Sequence, residues 1–233
     1  SSLIESWLSK KQKKWKPETF SKAQVSIQKH IYPKFGNRDL RTIKAVEWYE
    51  FFETLEYDLK IPTQMRKLLG FAIKAYDWAS LYCEYKENPV REMKGFIGSH
   101  KGGNFKFVDL TELPDLVSSI RSYTSRSTAI GLELLLLLFP RPGELRQAKW
   151  EQFDFQRKIW IKPAEMMKNK KEHRVPLSEQ VIVLLHRLKE IQTPSPYLFP
   201  SRQDSWMPIS DGTFNEALKS LGYEEKQHPH GFR

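Results

Sequence analysis

Between Ala129 and Phe139 the chain reads AIGLELLLLLF, its most apolar run, with Glu133 inside it. Spanning a bilayer takes about 20 apolar residues, so this run is too short to cross one and is expected to be a buried core helix. Hydrophobic residues make up 39% and aromatic residues 13% of the 233, which favours a packed core over disorder. The N-terminus SSLIESWLSKKQKKWK lacks the charge-then-apolar order of a signal peptide.

Upstream of that run the pattern is helical. SLIESWLSKKQKKW puts Leu3, Ile4, Trp7 and Leu8 on one face. A second helix is expected to start near Pro17, a residue suited to the first turn, and to run toward Tyr32. AVEWYEFFETL reads as a third. IPTQMRKLLGFAIKAYDWASLY reads as a fourth, with Leu68, Leu69, Ala72, Tyr76 and Ala79 on one stripe. Trp7, Trp48 and Trp78 lie on such stripes and are expected in the core rather than on a base-stacking surface. The pattern breaks at Pro89, and GSHKGGN (Gly98 to Asn104) has the composition of a linker. The boundaries expected are 1–97, a linker at 98–107, and 108–233.

In the second unit, Asp109 or Thr111 is positioned to cap a helix. KIWIK and HRVPL flank a polar loop and suggest a hairpin. SEQVIVLLHRLKEI should be capped by Ser178 and bury Val181, Leu184, Leu185 and Leu188; SDGTFNEALKSLG should end at Gly222. The unit is therefore expected to be mostly helical with a small sheet.

Lys and Arg total 38 against 28 Asp and Glu, a net charge of +10 that favours a polyanionic partner. Cys83 is the one cysteine, so neither an intrachain disulfide nor a cysteine-based zinc site can form, which fits a reducing cytoplasm. Lys10, Lys11, Lys13, Lys14 and Lys16 cluster around Trp15; on a helix they could lie along a phosphate backbone. Arg66, Lys67 and Lys74 are similar candidates on the fourth helix. The competing reading of each group is a solvated face.

Four basic residues stand apart by their settings. Arg141, in PRPGEL, precedes a helix whose first turn starts at Pro142, where unpaired N–H groups and the dipole favour a phosphate. Its guanidinium is a planar fork that fits two phosphate oxygens. Lys168 sits in the hairpin loop, where an ammonium can protonate a leaving oxygen; Lys170 and Lys171 compete for that place. His230 and Arg233 are three apart and would share a helical face, and such a histidine can bind phosphate or move a proton. Each alone is also ordinary surface decoration.

Taken in order, R-x-G-E-L, a hairpin lysine, a helix and H-x-x-R resemble the catalytic domain of tyrosine recombinases, the phage integrase family, of the prophage and genomic-island type. The boxes RPGELRQAKW, KNKKEHRVPLS, YLFP and HGFR carry the likeness, which is specific from about residue 108 onward and architectural before it. The fold it implies is mainly α: an N-terminal helical, SAM-like core-DNA-binding domain, then a mixed, mostly α catalytic domain with a small antiparallel sheet. The activity implied is cutting and rejoining of double-stranded DNA through a 3′-phosphotyrosine, with no metal and no cofactor. Arg141 and Arg233 would stabilise the phosphorane, Lys168 would be the general acid, His230 would assist proton transfer or bind the phosphate, and Glu144 would orient the active-site side chains.

In such enzymes the nucleophilic tyrosine follows the H-x-x-R box, so it is expected beyond Arg233. Tyr197 and Tyr223 precede that box and read as structural. This chain is thus expected to bind attachment-site DNA without cleaving it, as a monomer, while the intact protein would work as a tetramer on DNA. No membrane partner is expected, and the location expected is the cytoplasm. A non-enzymatic helical DNA-binding or architectural protein is the alternative.

Overall fold

The computed structural model describes residues 2–36, 38–82, 87–97, 103–167 and 171–233. Two compact units divide the chain, Ser1–Gly103 and Asn104–Arg233. No described helix is long and apolar enough to cross a membrane.

In the first unit α1 (Ser2–Gln12), α2 (Pro17–Phe35), α3 (Ala45–Glu53) and α4 (Pro62–Tyr82) pack around one aromatic-rich core. The apolar stripes end up inside. Ile4, Trp7 and Leu8 are buried from α1, and Leu68, Leu69, Ala72, Tyr76 and Ala79 from α4. Trp48 is fully enclosed, stacks on Phe52 at 5.6 Å, and donates its indole N–H to the Tyr76 hydroxyl at 3.1 Å. A buried indole needs such a partner. Trp78 is partly buried against the same core. Pro17 occupies the first turn of α2, as its missing N–H allows. α1 stops at Gln12, earlier than its apolar pattern suggests. Lys10 and Lys11 are then in the last helical turn, where cations suit the dipole, while Lys13, Lys14 and Lys16 lie in the connection to α2.

The second unit is built around α6 (Arg126–Leu138), the leucine run, with Leu132, Leu134 and Leu135 fully buried. It is covered by α5 (Leu113–Arg121), α8 (Glu179–Ile191) and α9 (Thr213–Ser220). Ser178 caps α8, its hydroxyl accepting the Val181 N–H at 3.4 Å, and Val181, Leu184, Leu185 and Leu188 are buried. α5 is different. Its N-cap residue is Glu112 with no side-chain cap; the Asp109 backbone carbonyl, rather than either expected side chain, takes the Glu112 and Leu113 N–H groups.

A three-stranded antiparallel sheet runs β1 (Phe153–Asp154), β2 (Ile159–Lys162), β3 (His173–Pro176). The β2–β3 pairing sets Trp160 opposite Val175 and Lys162 opposite His173, so the hairpin expected from KIWIK and HRVPL forms. β1 was not visible as a pattern, being two residues long.

Gly131 is where α6 meets α9. A β-carbon there would stand 2.8 Å from Phe214 Cζ and 3.2 Å from Phe199 Cε1. Gly131→Ala gains up to about 1 kcal/mol of helix propensity, but the overlap should cost about 1–3 kcal/mol. A net loss of stability in thermal or urea unfolding is the expected outcome.

Candidate active site

Arg141 is delivered by the turn that ends α6. Phe139 takes a left-handed conformation (φ 50°), its N–H bonded to the Leu135 carbonyl at 3.1 Å, and Pro140 prevents the helix from going on. The chain restarts at once as α7 (Pro142–Arg146), with Arg141 as its N-cap residue. α7 is five residues long, so its dipole is that of little more than one turn, and Glu144 already occupies its N-terminal end by accepting the Arg141 N–H at 3.3 Å. The expected helix-mouth contribution is therefore small. The guanidinium itself remains the exposed cation at this point, its side chain 45% exposed.

Behind Arg141 stands an ion array. The Arg141 Nη1 donates to Glu144 Oε1 at 2.7 Å, and the Lys162 ammonium donates to Glu144 Oε2 at 2.8 Å. Side-chain exposure falls from 45% at Arg141 to 9% at Glu144 and 4% at Lys162. The Lys162 ammonium also lies 4.5 Å from the Trp160 ring centre, within cation–π range. Trp160 stacks on Phe153 at 5.2 Å and donates its N–H to Gln152 Oε1 at 3.2 Å. Burial alone would raise the Glu144 pKa, but the hydrogen bonds from Lys162 and Arg141 outweigh it and hold the carboxyl below its usual value.

The terminal box folds as a 3₁₀ turn, Pro229–Phe232, rather than an α-helix. Residues three apart eclipse in that geometry, so His230 and Arg233 still share a face, and the Arg233 N–H reaches the His230 carbonyl at 3.3 Å. His228 caps the turn, its Nδ1 accepting the His230 N–H at 3.1 Å. Phe105 stacks on both imidazoles at 4.6 Å. The Lys106 carbonyl accepts the His228 N–H at 2.9 Å and passes so close to Gly231 that any β-carbon would overlap it. The buried Gln227 ties the two segments together: its Oε1 accepts the Val108 N–H at 2.9 Å and its Nε2 donates to the His228 carbonyl at 3.0 Å.

Arg141, Glu144, Lys162, His173, Arg174 and Arg233 line one depression of about 650 Å³. Two of the four expected catalytic positions, Arg141 and Arg233, thus line it together, with Glu144 behind Arg141. His230 precedes Arg233 by one turn of chain, and after burial the Arg141 and Arg233 charges help to lower its pKa. Lys168, and with it Lys170, falls outside the described residues. Tyr197 is bridged to Lys149, and Tyr223 packs on the core. Lys10, Lys13, Lys14, Lys16, Lys67 and Lys74 are exposed; Lys11 and Arg66 are half-buried, and the Lys11 ammonium lies 5.7 Å from the Trp7 ring centre. Among the described residues, no group of three His, Cys, Asp or Glu side chains could hold a metal ion.

Lys162, His173, Arg174 and Phe105 were not anticipated. Lys162 had a signal. β-strand side chains alternate, so Lys162 shares Trp160's face, and burial along β2 follows that alternation. A lysine in an inward register must find a counter-ion.

The fold and the site define a two-unit, mostly helical protein with a depression rich in basic side chains in its second unit. Residues 106–233 match the Phage integrase family, and residues 1–56 match the family described as Phage integrase, N-terminal SAM-like domain. The first match covers more than half of the chain, and the chain belongs to the phage integrase family. It is 30% identical over 240 residues to the integrase of Enterobacteria phage P4, covering 95% of this chain and 54% of that protein. It is 26% identical over 235 residues to the prophage integrase IntS of Escherichia coli K12, covering all of this chain and 61% of that protein. The chain thus spans a little over half the length of these relatives. Among solved structures, the Tn1549 transposon integrase in complex with a circular intermediate DNA aligns with TM-score 0.79 at 13% identity, over 99% of this chain and 83% of that one. A lambda integrase dimer bound to a COC′ core site aligns with TM-score 0.79 at 17% identity, over 100% of this chain and 83% of that one. At these identities the likeness is one of fold.

His228 and His230 both have pKa values below the usual 6.5. For His228 the causes are burial and then His230; for His230 they are burial and then the Arg141 and Arg233 charges. The unfolded chain therefore takes up protons before the folded one. The stability of the second unit that depends on neutral imidazoles is fully present above pH 6.5 and is lost as pH falls below it. Thermal unfolding midpoints measured from about pH 7.5 to about pH 5.5 should fall, and His228→Asn, which keeps a capping acceptor, should flatten that dependence.

Proposed function

We propose that this chain is the DNA-gripping and phosphate-clamping part of a site-specific recombinase of a prophage or mobile element. Residues 1–97 form its core-DNA-binding domain, 98–107 its linker, and 108–233 most of its catalytic domain. The observation that carries the reading is the convergence of Arg141 and Arg233, far apart in sequence, on one depression in a chain of this family. The matched Tn1549 and lambda integrases are bound to DNA, and a lambda integrase tetramer is bound to a Holliday junction, which supports double-stranded DNA as the partner.

In this mechanism a tyrosine hydroxyl attacks the scissile phosphate and leaves a 3′-phosphotyrosine and a free 5′-hydroxyl. Arg141 and Arg233 hold the non-bridging oxygens as charge builds on them. His230, kept neutral by its surroundings, can accept a hydrogen bond or a proton near neutral pH. Lys168 protonates the leaving 5′-oxygen. The tyrosine lies beyond Arg233, and Tyr197 and Tyr223 hold structural places. On this reading the chain alone binds duplex DNA as a monomer and makes no covalent adduct, while the intact protein acts as a tetramer in the cytoplasm.

Fluorescence anisotropy with an attachment-core duplex tests this. Affinity should fall steeply with salt. Neutralising Lys13, Lys14 and Lys16 should lower the log–log salt slope by about 0.9 for each phosphate that is no longer paired with a lysine. Salt-independent binding, or none, would sink the reading. A nicked suicide duplex should leave no covalent product on this chain; a trapped adduct would reassign Tyr197 or Tyr223 as nucleophile. In the intact protein, Arg141→Ala should abolish cleavage while largely sparing DNA binding.

A further inference from the structure

We propose that Lys162 is a positioning residue for the phosphate site: by cancelling the Glu144 charge from the interior side, it leaves Arg141 with a net positive charge to offer a phosphate. The proposal rests on Arg141 being a phosphate ligand, as in the function proposed above.

The geometry is layered. Arg141 reaches solvent, Glu144 lies beneath it, and Lys162 lies beneath Glu144, each contact a direct hydrogen bond of 2.7 or 2.8 Å. The two carboxylate oxygens are divided, one to each cation. The three charges sum to +1, and that surplus is presented at the member with 45% side-chain exposure. Without the ammonium, Arg141 and Glu144 would sum to zero. An incoming phosphate would then compete with an undivided carboxylate for the same guanidinium fork.

Lys162 is poorly placed to touch a ligand itself. Its side chain is 4% exposed, and the ammonium is held between the Glu144 carboxylate and the face of Trp160. It also occupies an inward strand register, where an aliphatic side chain would avoid the several kcal/mol that burying an ion costs. His173 is its cross-strand neighbour, and Arg174 lines the same depression, so the charge at the mouth of the site is set by these groups together with Arg141 and Arg233.

Titrating inorganic phosphate into the chain, while following the His230 ring protons and the Arg141 Nε–Hε resonance by NMR, tests the idea. Lys162→Gln keeps a donor toward Glu144, and Lys162→Met keeps the chain length; each loses the charge, so one folded variant suffices. Either should raise the phosphate dissociation constant about fivefold, the effect of one unit charge acting through a largely screened medium. The double variant Lys162→Gln/Glu144→Gln restores the net charge and should return to within about twofold of wild type. A purely structural role for Lys162, or direct contact with the ligand, predicts that the double variant stays as weak as the single one. That result, or folded single variants binding phosphate like wild type, overturns the proposal. A wild-type chain whose two resonances ignore phosphate removes the reading of Arg141 instead, a separate outcome.

Discussion

Glu144 carries its charge almost out of contact with water. A lone carboxylate in such a place would take up a proton rather than remain ionised. The two cations that flank it change that balance, and they come from different parts of the second unit. Arg141 comes from the turn that ends the leucine helix, and Lys162 from the last position of β2. The carboxylate can be satisfied only if the start of α7 and the end of β2 meet. Once they do, the sheet register fixes His173 opposite Lys162, and the wall of the cleft follows from the pairing.

The other side of the cleft has a different physical basis. The terminal box makes one 3₁₀ turn, too short to be stable by its own hydrogen bonds. It is held by the segment that begins the unit. Phe105 stacks on both imidazoles, Lys106 takes a backbone hydrogen bond, and Gln227 satisfies an amide on one segment and a carbonyl on the other. Phe232 enters the core from the same turn. Gly231 is required because the Lys106 carbonyl occupies the space a side chain would need. Both imidazoles are partly buried, and His230 also feels two arginine charges, so they stay neutral to lower pH than a free histidine would.

Much of the architecture was legible because its causes are local. The α4 stripe, the Ser178 cap and the buried face of α8 follow from helical period and side-chain chemistry, and all appear as read. The hairpin followed from two β-prone stretches around a polar loop. Local reasoning was weakest at helix ends. The apolar pattern of α1 runs past Gln12, yet the helix stops there, and the lysines beyond it leave the helical face. The start of α5 uses a backbone carbonyl where a side-chain cap was expected. The helix expected after Arg141 does start at Pro142, but it is only five residues long, so its dipole is small.

Sequence by itself determined the two-part helical plan, the buried leucine helix, and which basic residues stand out by their settings. Those depend on residue type and on spacing along the chain. Tertiary structure alone decided that Arg141 and Arg233 line one depression, and that Lys162 backs Glu144. It also decided that Phe105 shields the histidines. These are pairings between distant segments, and their energies come from desolvation and charge at contact distance, which no one-dimensional pattern encodes.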